Sequence, residues 1–187
     1  FTFSAWVYNV GSMHAYTTGD GTTANRFYIE IGSSGTVEIF YTVASVIKIR
    51  FNPGAVLGKN TWNHILVSVD VANGANRSCY INDVLQADAG WVTYVNTNID
   101  FTWATHYVNA YVHSGAAAAK GRLAHVFLDY TYRDLSVTAN RRLFIDSDGK
   151  PSSTIPSSPI LYLPMTDAAT AGSNSGTGGD LTVNGVL

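Results

Sequence analysis

The chain has 187 residues, of which 46% are hydrophobic and 13% charged, a balance that excludes a disordered tail and suits one domain burying roughly 70% of its unfolded surface. With 11 Lys and Arg against 13 Asp and Glu the net charge is -2, and without a basic block the electrostatic footprint of nucleic-acid binding is missing. No apolar run approaches the roughly 18 residues that a spanning helix needs, and the single cysteine, Cys79, excludes an internal disulfide or a CxxC metal cluster.

The first eight residues already alternate as a strand, so the chain is expected to be part of a longer polypeptide. From there the apolar period stays close to two, with β-branched and aromatic residues at the periodic positions. The predicted strands are 1–8, 26–31, 36–41, 46–51, 63–71, 77–81, 106–112, 122–129, 160–163 and 181–183, and 160–163 is expected to pair near the N-terminal strand Phe3 to Tyr8 and complete a sheet. Turn-forming clusters such as Gly19-Asp20-Gly21 and Gly32-Ser33-Ser34-Gly35 separate them. One helix is expected, capped by Asp134 or Ser136 and running through Ala139 to Phe144. A Pro- and Ser-rich loop follows over 148–159, and Ala116 to Ala119, bracketed by Gly115 and Gly121, reads as a small-residue loop. With no repeat and no second hydrophobic core in the pattern, the expectation is an all-β, two-sheet antiparallel sandwich in a single domain spanning 1–187.

Several segments then fall in a familiar order: Phe3-Ser4-Ala5-Trp6-Val7, Trp62-Asn63-His64-Ile65, Cys79-Tyr80-Ile81-Asn82-Asp83, and Gly121-Arg122-Leu123-Ala124-His125-Val126 followed by Asp134-Leu135-Ser136. This order resembles the laminin-G-like and pentraxin-like branch of the concanavalin A-like lectin/glucanase jelly rolls. In that branch W-x-H opens a central strand and Y-I-N-G closes a hairpin, whereas here Asp83 replaces the glycine. The run from Asn140 to Pro151, with Leu161-Tyr162-Leu163 and the Gly-rich segment 174–185, is similar to the ends of such domains in bacteriophage virion proteins. The resemblance implies a jelly roll with at most one short helix, in a head-decoration, tail or fibre protein on the virion surface. It implies other virion subunits as partners, in multicopy or homo-oligomeric display, and host surface glycans as a further partner.

Glycosidase chemistry needs two carboxylates about 5 to 5.5 Å apart for retention. The only glutamates are Glu30 and Glu38, and the Glu-x-Asp-x-x-Glu strand of catalytic relatives is absent. A turn centred near Ser34 places Glu30 opposite Glu38 on the face away from the core, and one near Ala44 sets Arg50 beside Glu38. That ladder reads as a surface ion-pair network, so the chain is expected to be non-catalytic; the alternative is a polysaccharide-cleaving domain of the same fold. The histidines His14, His64, His106, His113 and His125 lack the spacing of a zinc site, and His64 is expected on the sheet face away from the core.

No cofactor is expected, and calcium stays unassigned. Asp146-Ser147-Asp148-Gly149 opens like a calcium loop but has Ser157 where the bidentate Glu belongs, and Asp20 and Asn25 are ordinary turn formers. For glycan binding the candidates are aromatics in the longer loops, Trp91, Tyr94, Trp103 and Tyr107. The competing expectation fills the interior with Trp6, Trp62, Trp91 and Trp103.

Overall fold

The computed structural model describes residues 1–95, 97–103, 105–110 and 120–183. Twelve strands occur in these residues: β1 (Thr2–Asn9), β2 (Met13–Gly19), β3 (Arg26–Ile31), β4 (Val37–Val43), β5 (Val46–Phe51), β6 (Trp62–Val69), β7 (Arg77–Ile81), β8 (Val84–Leu85), β9 (Trp91–Tyr94), β10 (Thr105–Tyr107), β11 (Gly121–Asp129) and β12 (Leu161–Leu163). They form two six-stranded sheets, in the orders β12-β11-β1-β6-β7-β8 and β10-β2-β3-β4-β5-β9, with every pairing antiparallel. The expected sandwich is therefore what the chain forms. The sheets close on alternate residues: Phe3, Ala5 and Val7 from β1 and Ile65, Val67 and Val69 from β6 meet Phe27, Ile29, Ile31, Ile39 and Tyr41 from the other sheet. Alternation drives this packing, because a pleated strand offers every second side chain to one face.

Strands β3, β5 and β7 match the predicted limits. The turn between β3 and β4 tightens at Gly35, with φ of 91°, where a Cβ would lie 2.9 Å from the Leu57 carbonyl oxygen. Strand β2 escapes the sequence pattern because its pairing with β3 slips between His14 and Tyr16. Ala15 and Tyr16 are consequently both buried, and the period of two is lost there. Strands β8 and β9, short strands at sheet edges, likewise fall outside the predicted set.

Four further expectations are corrected. Residues 181–183 form no strand, and Leu181 N instead donates to Gly172 O at 2.9 Å. The helix α1 spans only Thr138–Arg141, because the Asp134 carboxylate accepts from Ser136 N at 2.9 Å and Ser136 Oγ at 2.6 Å and so closes a turn ahead of it. Strand β12 pairs with β11, which separates it from β1. The predicted strand 106–112 is a strand only over Thr105–Tyr107 within the described residues; its last two residues, like His113 and Ala116 to Ala119, lie outside them.

A second hydrophobic cluster, unexpected from the pattern, covers the outer face of the first sheet. Leu135 and Phe144 from the segment after β11 pack on Leu66, Tyr80 and Phe127. Thr2 and Ser4 of β1 and His64 and Ser68 of β6, on this outer face, are buried and form hydrogen bonds there. Thr2 Oγ1 donates to Thr131 O at 2.8 Å, Arg133 N donates to Ser68 Oγ at 2.9 Å, and Ser4 Oγ shares a 2.8 Å hydrogen bond with His64 Nε2. No helix among the described residues is long and apolar enough to cross a membrane.

Candidate functional site

The four sequence candidates occupy three separate places. Trp91 is 9% exposed and packs its ring 4.3 Å from that of Phe51, in the core. Tyr94, on the same strand, donates its hydroxyl to Asp70 O at 2.7 Å, and the Arg77 guanidinium lies 4.9 Å over its ring. Trp103 is half-buried, 6.1 Å from Tyr41. Tyr107 lies on β10, at the opposite edge of the sheet from β9. The fold therefore gathers only Trp91 and Tyr94, and these two rings pack on each other and the core.

Cross-strand register does bring an unforeseen row together on the outer face of the second sheet. Tyr107, Thr17, Tyr28, Phe40, Arg50 and Thr93 stand opposite one another in sequence across all six strands. Tyr28 and Phe40 stack at 4.9 Å, and Arg26 covers both rings at 5.5 and 5.4 Å. These rings face outward yet are only 7% and 8% exposed.

Beside this row Glu30 does stand opposite Glu38. Arg50 faces Phe40 rather than Glu38, since the β4–β5 hairpin is centred between Ala44 and Ser45 and its pairing shifts by one more residue between Tyr41 and Thr42, and it reaches diagonally to donate from Nε to Glu38 Oε1 at 2.9 Å. Tyr28 Oη donates to the other Glu38 oxygen at 3.1 Å, while His14 Nε2 lies 3.7 Å from Glu30. Burial, and after it the Glu38 charge, pushes the Glu30 carboxyl above its ordinary range. Burial and the Arg26 charge hold His14 down at about 4.

The first sheet carries a different row near the end of β1. Trp62, Tyr8 and Arg122 stand opposite one another on β6, β1 and β11. The Trp62 and Tyr8 rings meet edge to face at 5.6 Å, and the Arg122 guanidinium lies 5.6 Å over Tyr8. Trp62 is 42% exposed. One row further in, Trp6 stacks on His64 at 5.0 Å and is buried. Sequence reasoning missed Trp62 although the signal was present: it stands two residues before His64, which was already assigned to the outward face.

The loop carboxylates weighed as calcium ligands are engaged locally. Asp20 bonds to Thr22 and Asn25 in its own turn, and Asp146 accepts from Asp148 N and Lys150 N. Among the described residues no three His, Cys, Asp or Glu side chains converge as metal ligands. His106 Nδ1 and Tyr16 Oη share a 2.7 Å hydrogen bond at the wall of a largely apolar cavity of about 210 Å³. His125, at φ 50°, marks a bulge where β11 slips against β1, and its Nδ1 meets Tyr162 Oη at 2.9 Å.

The class defined by this geometry is an antiparallel β-sandwich of the jelly-roll type, with an aromatic row on an outer sheet face. No family model and no curated protein matches the chain. Among solved structures it is similar to the Ruminococcus gnavus IT-sialidase CBM40, at TM-score 0.49 and 17% identity over 74% of this chain and 80% of that one. The same module bound to α2,3 sialyllactose aligns at TM-score 0.44 and 14% identity, over 64% of this chain and 68% of that one. Its complex with α2,6 sialyllactose gives 0.42 and 15%, over 64% and 69%. These are partial likenesses of backbone shape.

Proposed function

We propose that this domain is a non-catalytic adhesion module that binds glycans, displayed in many copies on a bacteriophage particle as part of a decoration, tail or fibre protein. The observation that carries the glycan reading is the exposed Trp62 ring, held edge to face against Tyr8. An indole fixed in this way offers a flat apolar surface to the C–H face of a pyranose, and the pairing with Tyr8 limits the entropy lost on binding. The likeness of segment 140–185 to the ends of virion domains supports the particle location. Single-site stacking gives weak affinity, which multicopy display on a particle would raise through avidity. The non-catalytic reading is supported by Glu38, whose two oxygens accept from Arg50 and Tyr28 instead of standing clear for a substrate.

The test is a glycan array probed with a multivalent display of the domain. Wild type should retain host-surface glycans, and Trp62→Ala, with its folding checked by thermal melting, should lose them. Retention unchanged in the folded variant would overturn the proposal.

A further inference from the structure

Arg122 differs from most of the other guanidinium groups in the molecule. Arg50, Arg77, Arg133, Arg141 and Arg142 each pair with a carboxylate. Arg122 is exposed and is held over the Tyr8 ring, and among the described residues it has neither an ion-pair partner nor an acceptor for its N–H groups. A guanidinium stacked on a ring still points its donors outward in its own plane, in the fork that matches an oxyanion.

Two more cations flank the row. Lys59 precedes Asn60, whose N–H donates to Asn9 O at 2.8 Å, and Lys120 precedes Gly121, which stands opposite Asn9 from the other side. Both lysines are exposed and, among the described residues, form no ion pair. The end of β1 is thus bordered on both sides by uncompensated positive charge, in a chain whose net charge is -2.

From this arrangement we propose that the Trp62–Tyr8–Arg122 row recognises an acidic glycan: a pyranose ring stacks on Trp62 while an oxyanion on the same or the adjoining sugar takes the Arg122 fork. The inference rests on the glycan reading above and narrows it to a charge class. Strands lie about 4.8 Å apart, so the row spans about 10 Å, the reach of about two pyranose rings. Lys59 and Lys120 would add long-range attraction rather than fixed contacts, steering a polyanion to this end of the sandwich.

The experiment uses oligogalacturonate and its carboxyl methyl ester, which share one ring skeleton and differ in charge, beside an array of other acidic and neutral oligosaccharides. Wild type should prefer acidic members, and Arg122→Gln should weaken these by about tenfold and so erase the preference for acidic over neutral members. Salt at about 1 M, where the Debye length is about 3 Å, should reproduce the loss. Trp62→Ala should abolish binding of both kinds. If wild type binds only neutral glycans, or acidic and neutral ones equally, through Trp62, the charge assignment falls and the glycan reading stands. If no glycan is retained, or Trp62→Ala changes nothing, both fall.

Discussion

Asp83 accepts a 2.7 Å hydrogen bond from Arg142 Nη2 across 59 residues of chain, at a backbone φ of 63° that ordinarily selects glycine. Arg141 Nε donates to the other carboxylate oxygen at 2.8 Å. Although burial opposes ionisation of Asp83, the bonds from Arg142 and Arg141 outweigh it and hold the carboxyl below its usual range. The residue that replaces the expected glycine thus ties the β7–β8 turn to the C-terminal strap.

Asp83→Gly separates these two roles, since glycine suits the turn and removes the tether. The pair is partly exposed and screened, so the expected loss is about 1–2 kcal/mol in urea unfolding. Proteolysis within 134–159 should also quicken. A variant as stable and as resistant as wild type would show that apolar packing alone holds the strap.

Phe144 meets Phe127 edge to face at 4.9 Å and closes the outer cluster. Phe144→Ala should cost about 3 kcal/mol, the lower end for a buried aromatic truncation. Trp91→Ala should cost about 3–5 kcal/mol, because Trp91 is packed against Phe51 in the core. Chemical denaturation measures both, and a fully stable Trp91→Ala protein would contradict its place in the core.

His64 is enclosed, and burial lowers its pKa from 6.5 to about 3. Above pH 6.5 it is neutral folded and unfolded, and its contribution to stability is flat. Below 6.5 the unfolded chain takes up a proton that the folded state refuses until about 3, so stability falls with pH across that window, by at most about 1.4 kcal/mol per unit. His64→Gln should be less stable at neutral pH and show a shallower decline towards acid. Melting curves of the two proteins at matched pH values check the sign; identical slopes would mean that other groups carry the acid sensitivity.

Glu38 is held by Arg50 and Tyr28, and Glu30 stands beside His14. The domain should therefore release no reducing ends from laminarin, lichenan, agarose or host capsule. Turnover that disappears in Glu30→Gln or Glu38→Gln would make the sheet face catalytic after all.

Local periodicity by itself determined the all-β class, the limits of β3, β5 and β7, and the opposition of Glu30 to Glu38. These follow from alternation and short turns, in which neighbouring residues decide the geometry. The bulges at Ala15 and His125 needed the partner strand, because a slip in register is a property of two strands together. Burial of Ser4 and Leu66 came from a strap far along the chain, whose apolar anchors Leu135 and Phe144 show no strand period. The candidate site divides in the same way. Alternation around His64 already puts Trp62 on the outward face, but only the tertiary structure buries Trp6 against His64 and leaves Trp62 open beside Tyr8 and Arg122. Three strands from distant parts of the chain build that row, and long-range pairing is the one quantity that period and turn chemistry do not encode.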